Sequence, residues 1–173
     1  MANTNRPHGF VGLKSLGGGD LVVREYAKAV ADTTVIGEND LVTITGALDT
    51  IAQYVQDDPV SGSSVNFGAT VLATTHSVVL AFSDTLFEAQ EDSDGAAMVA
   101  ADEGQSADVI VAAANSTTGQ SAMEIDSSTV TNQARDVQLF AVAPYVDNTV
   151  GSNNARWFVL MNDRRYFNAV AGV

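Results

Sequence analysis

A chain of 173 residues with no cysteine and a formal net charge of −13 is long enough for one domain with a sizeable core, and it lacks the thiols for disulfides, thiolate metal sites or cysteine nucleophiles. The charge is unevenly placed: sixteen Asp and Glu but no Lys or Arg lie between Ala29 and Ala134, a block that repels phosphate backbones and argues against nucleic acid as a partner. No apolar run approaches the ~20 residues of a membrane span, and Met1 to Phe10 lacks the apolar core of a secretory signal, so neither a membrane nor the secretory route is expected.

Residues 1–20 are expected to form an extended N-terminal arm. MANTNRPHG is polar, Pro7 has no backbone donor, and Gly17, Gly18 and Gly19 form a hinge. Phe10, Val11, Leu13 and Leu16 would be wasted in solvent, which points to an arm that becomes ordered on a partner. From Leu21 the pattern changes. Leu21 to Val30 could be an amphipathic helix capped by Asp20, but its β-branched and aromatic content predicts a strand, followed by Val35–Ile36 and by Leu41–Thr45 after a turn at Asn39–Asp40. Further strands are expected at Ala52–Val55, Ala69–Thr74, Val78–Phe82 and Leu86–Gln90, separated by the turn compositions DDP, SGSS and SD.

Gly95 to Glu103 is limited to one or two helical turns, ended by Gly104. Asp108–Ala114 is a continuous apolar run, and Val137–Ala143 is a strand closed by Pro144. Ala155–Met161 is apolar on both alternating faces and is expected to be a central strand buried on both sides, with Trp157 in the core. The fold expectation is mainly β: a compact β-sandwich or barrel-like body over residues 21–173, with the arm and at most one short helix.

Signals for catalysis are weak. His8 and His76 have no second His or Cys at ligand spacing, and His76, between two extended runs, reads as a turn or surface residue. The cluster Glu91, Asp92 and Asp94 departs from the EF-hand pattern because Gly95 directly follows Asp94; it leaves a divalent ion open without specifying one. Two carboxylates suffice for a glycosidase, but Trp157, the single Trp, lies in an apolar strand rather than on a sugar platform. The three consecutive glycines lack the strand and Lys-Ser/Thr pair of a phosphate loop, and Ser63–Ser64 lacks the nucleophile elbow and reads as a loop. No catalytic, cofactor-binding or metal residue is assigned, and the chain is not expected to be an enzyme.

Several segments share a different pattern: LFEAQEDSDG from Leu86, ADVI from Ala107, TTGQSAMEIDSST from Thr117, the opening MANTNRPHGF, and DNTVGSNNARW from Asp147. In this order they resemble the head decoration (cement) proteins of tailed bacteriophages, best from Phe87 to Thr129 and thinly from Arg24 to Phe82. The resemblance implies a mainly β homotrimer on the outer surface of the virion, assembled in the host cytoplasm. It would bind the major capsid protein lattice and stabilise the head against internal DNA pressure, with no cofactor, nucleic acid or membrane involved. By the same resemblance Asn3, Arg6, His8, Phe10 and Leu13 of the arm would face the capsid. The ending MNDRRYFNAV departs from the short polar tail of the family and leaves the C-terminal contacts unassigned. The alternative is a virion surface β module, a spike or carbohydrate-binding protein, that contacts the host.

Overall fold

The computed structural model describes residues 3–29, 31–45, 50–56, 58–65, 75–94, 97–162 and 164. The protein is mainly β, as its composition predicts. Its strands in chain order are β1 (Val11–Ser15), β2 (Val23–Lys28), β3 (Leu41–Ile44), β4 (Thr50–Gln53), β5 (Gly62–Ser64), β6 (Thr75–Leu80) and β7 (Thr85–Gln90). They continue as β8 (Ser106–Ala107), β9 (Val109–Ile110), β10 (Glu124–Ile125), β11 (Val137–Val142) and β12 (Arg156–Met161). Strands β2-β4-β3-β5-β6 close into a barrel, β1-β7-β12-β11-β8 form a five-stranded sheet, and β9 and β10 pair as a small ribbon.

Period-2 alternation explains how the two layers share apolar residues. In β3, Val42 and Ile44 join Tyr26, Ile51, Val78 and Leu80 in one cluster, the barrel filling. Their neighbours Leu41 and Val79 point the other way, into a larger cluster with Phe87, Leu139, Trp157, Val159 and Met161 of the five-stranded sheet. Strands β3 and β5 are therefore buried on both faces, while β2 keeps one face exposed. Barrel closure needs the parallel pairing of β2 with β4, at Ala27↔Thr50 and Lys28↔Ile51, since every other barrel pair is antiparallel.

The strand expected over Leu21–Val30 is present as β2, and Ala155–Met161 is central as β12. Burial of β12 on both faces is not observed. Trp157, Val159 and Met161 are buried, whereas Arg156, Phe158 and Leu160 are half-buried, because the barrel covers only one side of this antiparallel sheet. SGSS is not a loop: Gly62–Ser64 is a fully buried strand. Its small polar side chains find partners inside, with Ser63 Oγ donating to the Phe10 carbonyl at 2.6 Å, and at Gly62 a Cβ would overlap the Val79 carbonyl. His76 is likewise not a surface residue; it lies buried in β6 with its Nδ1 3.4 Å from Ser64 Oγ.

The apolar run Asp108–Ala114 is a strand only at Val109–Ile110, and the helical content of Gly95–Glu103 is a single 3-10 turn at Ala100–Asp102, followed by Gly104 at φ +85°. The strand expected at Ala69–Thr74, residues Gly95 and Ala96 of the helical stretch, and residues 165–173 lie outside the described residues. Among the described residues no helix is long and apolar enough to cross a membrane.

The separation of residues 1–20 from the body is corrected by β1. Val11–Ser15 pairs antiparallel with β7 as an edge strand of the main sheet, with a bulge between Gly12 and Lys14. Phe10 is fully buried in the larger core cluster, and its N–H donates to Asn39 O at 2.9 Å. Of the apolar residues that suggested a docking arm, Phe10 is buried in the core and Val11 and Leu13 lie half-buried in β1, while Leu16 stays exposed. Gly18, at φ +83° with its N–H on Ser15 O, makes the turn out of β1, so the glycine stretch closes a strand instead of hinging an arm.

Candidate functional site

The N-terminal segment before Phe10 lies on the surface and meets the end of β7, the start of β12 and the loop 147–154. Together they line a polar cleft of about 320 Å³ that includes Asn3, Arg6, His8, Gln90, Asn148 and Arg156. Three of the five arm residues implied by the resemblance thus line one cleft. Asn3 clips the loop, its Nδ2 donating to Thr149 O at 2.9 Å and its Oδ1 accepting from Thr149 N at 2.7 Å. Arg6 is held by its backbone, whose N–H donates to Gln90 Oε1 at 3.2 Å, and the residue is exposed. His8 places Nε2 3.7 Å from Glu88 Oε1. The other two residues are elsewhere: Phe10 is in the core and Leu13 is half-buried within β1. Phe10 is therefore no surface contact, because removing it from the core would expose a whole aromatic ring.

Glu88 is the centre of charge beside the cleft. The Tyr145 hydroxyl donates to its Oε2 at 2.6 Å, and the Arg156 guanidinium approaches Oε1 at 4.0 Å. That guanidinium also stacks over the Tyr145 ring at 4.4 Å and pairs with Asp147. The hydrogen bond to Glu88 pushes the Tyr145 phenol above its ordinary pKa. Tyr145, Arg156 and His8 all approach the Glu88 carboxylate, so it fixes this patch and leaves the exposed Arg6 as the residue that can reach outward. Glu88, Tyr145 and Arg156 were not singled out from the sequence. The one available signal was the charge of Arg156 at the start of an otherwise apolar strand.

Immediately after β7, Glu91 is fully buried and holds the sheet to two loops. Its carboxylate accepts Met98 N–H at 2.8 Å and Ala155 N–H at 3.1 Å. Burial pushes its pKa up to about 7 against these hydrogen bonds. Asp92 turns the opposite way, and its Oδ1 accepts Ser127 N–H at 3.1 Å and Ser127 O–H at 2.7 Å. The acidic cluster is thus divided by strand alternation. Carboxylate oxygens of Asp92 and Asp94 come within 4.8 Å of one from Asp126, which the sequence reading did not include, while Glu91 belongs to the structural side.

The segments on which the resemblance rests meet one another directly. Asn3 binds the loop 147–154; Gln90 bonds Asn154 and the Arg6 backbone; and Glu91 exchanges backbone and side-chain bonds with Ala155. Asp92 N–H donates to Ile125 O at 3.0 Å, and Asp126 N–H to Asp108 O at 3.0 Å. No family model, curated protein or solved structure matches the chain, so the reading of its function rests on this connected set of residues.

Proposed function

We propose that the protein is a bacteriophage capsid decoration protein, a homotrimer that binds the major capsid protein lattice on the outer surface of the virion and raises the cost of separating its subunits. The observation that carries the reading is the connected set described above. Segments up to about 150 residues apart in the chain, those on which the resemblance rests, are joined by hydrogen bonds into a single substructure. The work is mechanical. Contacts spanning a subunit boundary must break before the shell opens, and three copies on one trimer make them multivalent.

The fold alters which residues are offered to the capsid. Because β1 already pairs with β7, strand addition by residues 11–15 takes place inside the chain, and the outward contacts fall to Arg6 and the loop 147–154. The test is co-sedimentation of the full chain with undecorated capsids, with light scattering for the trimer. Saturable binding that delays heat rupture of the shell, weakened by Arg6→Glu, is expected; a monomer that stays in the supernatant would sink the reading. The amide-rich cleft favours the second reading, a glycan-binding virion module, which binding on a glycan array without capsid binding would establish.

A further inference from the structure

We propose that Asp92, Asp94 and Asp126, with Glu124 beside them, form a binding site for a hard divalent cation of the calcium class. The inference stands apart from the capsid reading, since it rests on a different face of the β7 end. Two i, i+2 pairs build the site. Asp92 and Asp94 follow β7, while Glu124 and Asp126 flank Ile125 at the end of β10, and carboxylate oxygens of Asp92, Asp94 and Asp126 lie within 4.8 Å of one another. The parallel bridge Glu91↔Ile125 and the bond from Asp92 N–H to Ile125 O fix the register that sets the pairs against each other.

Acidic surfaces are common, and this cluster differs from them in one buried oxygen. Asp92 is only 5% exposed. Its Oδ1 is satisfied by Ser127, yet its Oδ2 is buried and has no hydrogen-bond partner among the described residues. A buried carboxylate oxygen without a donor is costly, and the carboxylates of Asp94 and Asp126 stand next to it. Glu124 repeats the pattern, with Oε1 also buried and unpartnered. A cation is the species that satisfies acceptors facing acceptors.

Size and chemistry agree with that assignment. Oxygens that surround one calcium at about 2.3 to 2.6 Å lie up to about 5 Å apart, and the three aspartate oxygens fall within 4.8 Å of one another. All the ligands are oxygen, which selects hard cations over the zinc or copper that nitrogen and sulfur would attract. The serines complete the device: Ser127 orients Asp92, and Ser128 donates to Asp126 Oδ1 from N–H at 3.0 Å and from O–H at 2.6 Å, leaving one oxygen of each aspartate for the ion.

The test is calorimetric titration of the chelator-treated full chain with CaCl2 at constant physiological ionic strength, with thermal unfolding in parallel. Saturable one-to-one binding is expected with Kd between about 10 μM and 1 mM, together with a Tm that rises with calcium. Asp94→Asn, at an exposed position, should fold normally in chelator and bind at least tenfold more weakly, and Asp126→Asn should do the same. Glu25→Gln, an exposed acid on β2, should bind as the parent does. The proposal is overturned if no saturable heat or Tm shift appears, if Asp94→Asn and Asp126→Asn both bind as tightly as the parent, or if Glu25→Gln loses as much affinity as they do. The last outcome would mean general screening of an acidic surface and an adventitious ion only.

Discussion

Ser63 donates its hydroxyl to the carbonyl of Phe10 at 2.6 Å, so the N-terminal segment is tied to barrel strand β5 at the point where it enters the core. The bond joins residues 53 positions apart and makes the opening of the chain part of the body.

Truncation should show where the free segment ends. Residues 3–8 contribute surface hydrogen bonds, whereas Phe10 fills the core and β1 covers the edge of β7. Deleting residues 1–8 should leave a folded protein, while Phe10→Ala should cost ~3 to 5 kcal/mol and deletion through residue 16 should abolish cooperative unfolding. Urea denaturation of the three variants measures this, and a cooperative transition after deletion through residue 16 would restore the independent arm.

Trp157 is fully buried in the shared core, and its Nε1 has no hydrogen-bond partner among the described residues. Trp157→Ala should therefore lower stability by ~3 to 5 kcal/mol. Trp157→Phe should cost clearly less, because it removes an unsatisfied donor along with part of the ring. Equal losses in the two variants would mean that the indole N–H is satisfied in solution.

Gly62 lets β5 approach β6, where a Cβ would overlap the Val79 carbonyl and lie 2.6 Å from Val78 Cγ1. The nearest atom is backbone and cannot rotate away. Gly62→Ala should open the barrel and cost ~2 kcal/mol or more, within the range of overpacking. Gly19→Ala, where nothing lies within 4 Å of the Cβ position, is the matched control and should be neutral. Indistinguishable melting temperatures for the two variants would refute the close approach.

Asp40 is fully buried, and burial holds its carboxyl above the usual carboxylate range despite hydrogen bonds from Ser121, Gly37 and Gln53. The native state therefore binds this proton more tightly than the unfolded chain does. Its contribution to stability is fully present below the unfolded value of about 4 and is lost as pH rises through the elevated folded value. Asp40→Asn should accordingly show a smaller fall in stability than the parent over that rise in pH. Denaturation curves at a series of pH values check it, and parallel profiles would show that Asp40 titrates alike in both states.

Much of the β architecture could be read locally. Val137–Ala143 and Ala155–Met161 declare themselves by alternation and β-branched content, and Trp157 falls in the core because no polar neighbour competes for that face. SGSS and His76 were misread for the opposite reason. Their polarity suggests exposure, and only the closeness of β6 and the carbonyl of Phe10 shows that these groups find partners inside.

The sequence by itself determined that the chain would be β-rich and acidic, without cysteine chemistry, since composition and period-2 alternation are local properties. The tertiary structure decided everything that depends on which distant segments meet. Whether residues 11–15 would reach outward or pair inward was settled by the free edge of β7, and Asp126 joined Asp92 and Asp94 only through the register of Glu91 with Ile125. The side chains at these positions are the same in either arrangement. Long-range backbone pairing chooses between them, and a one-residue slip would turn each carboxylate to the opposite face.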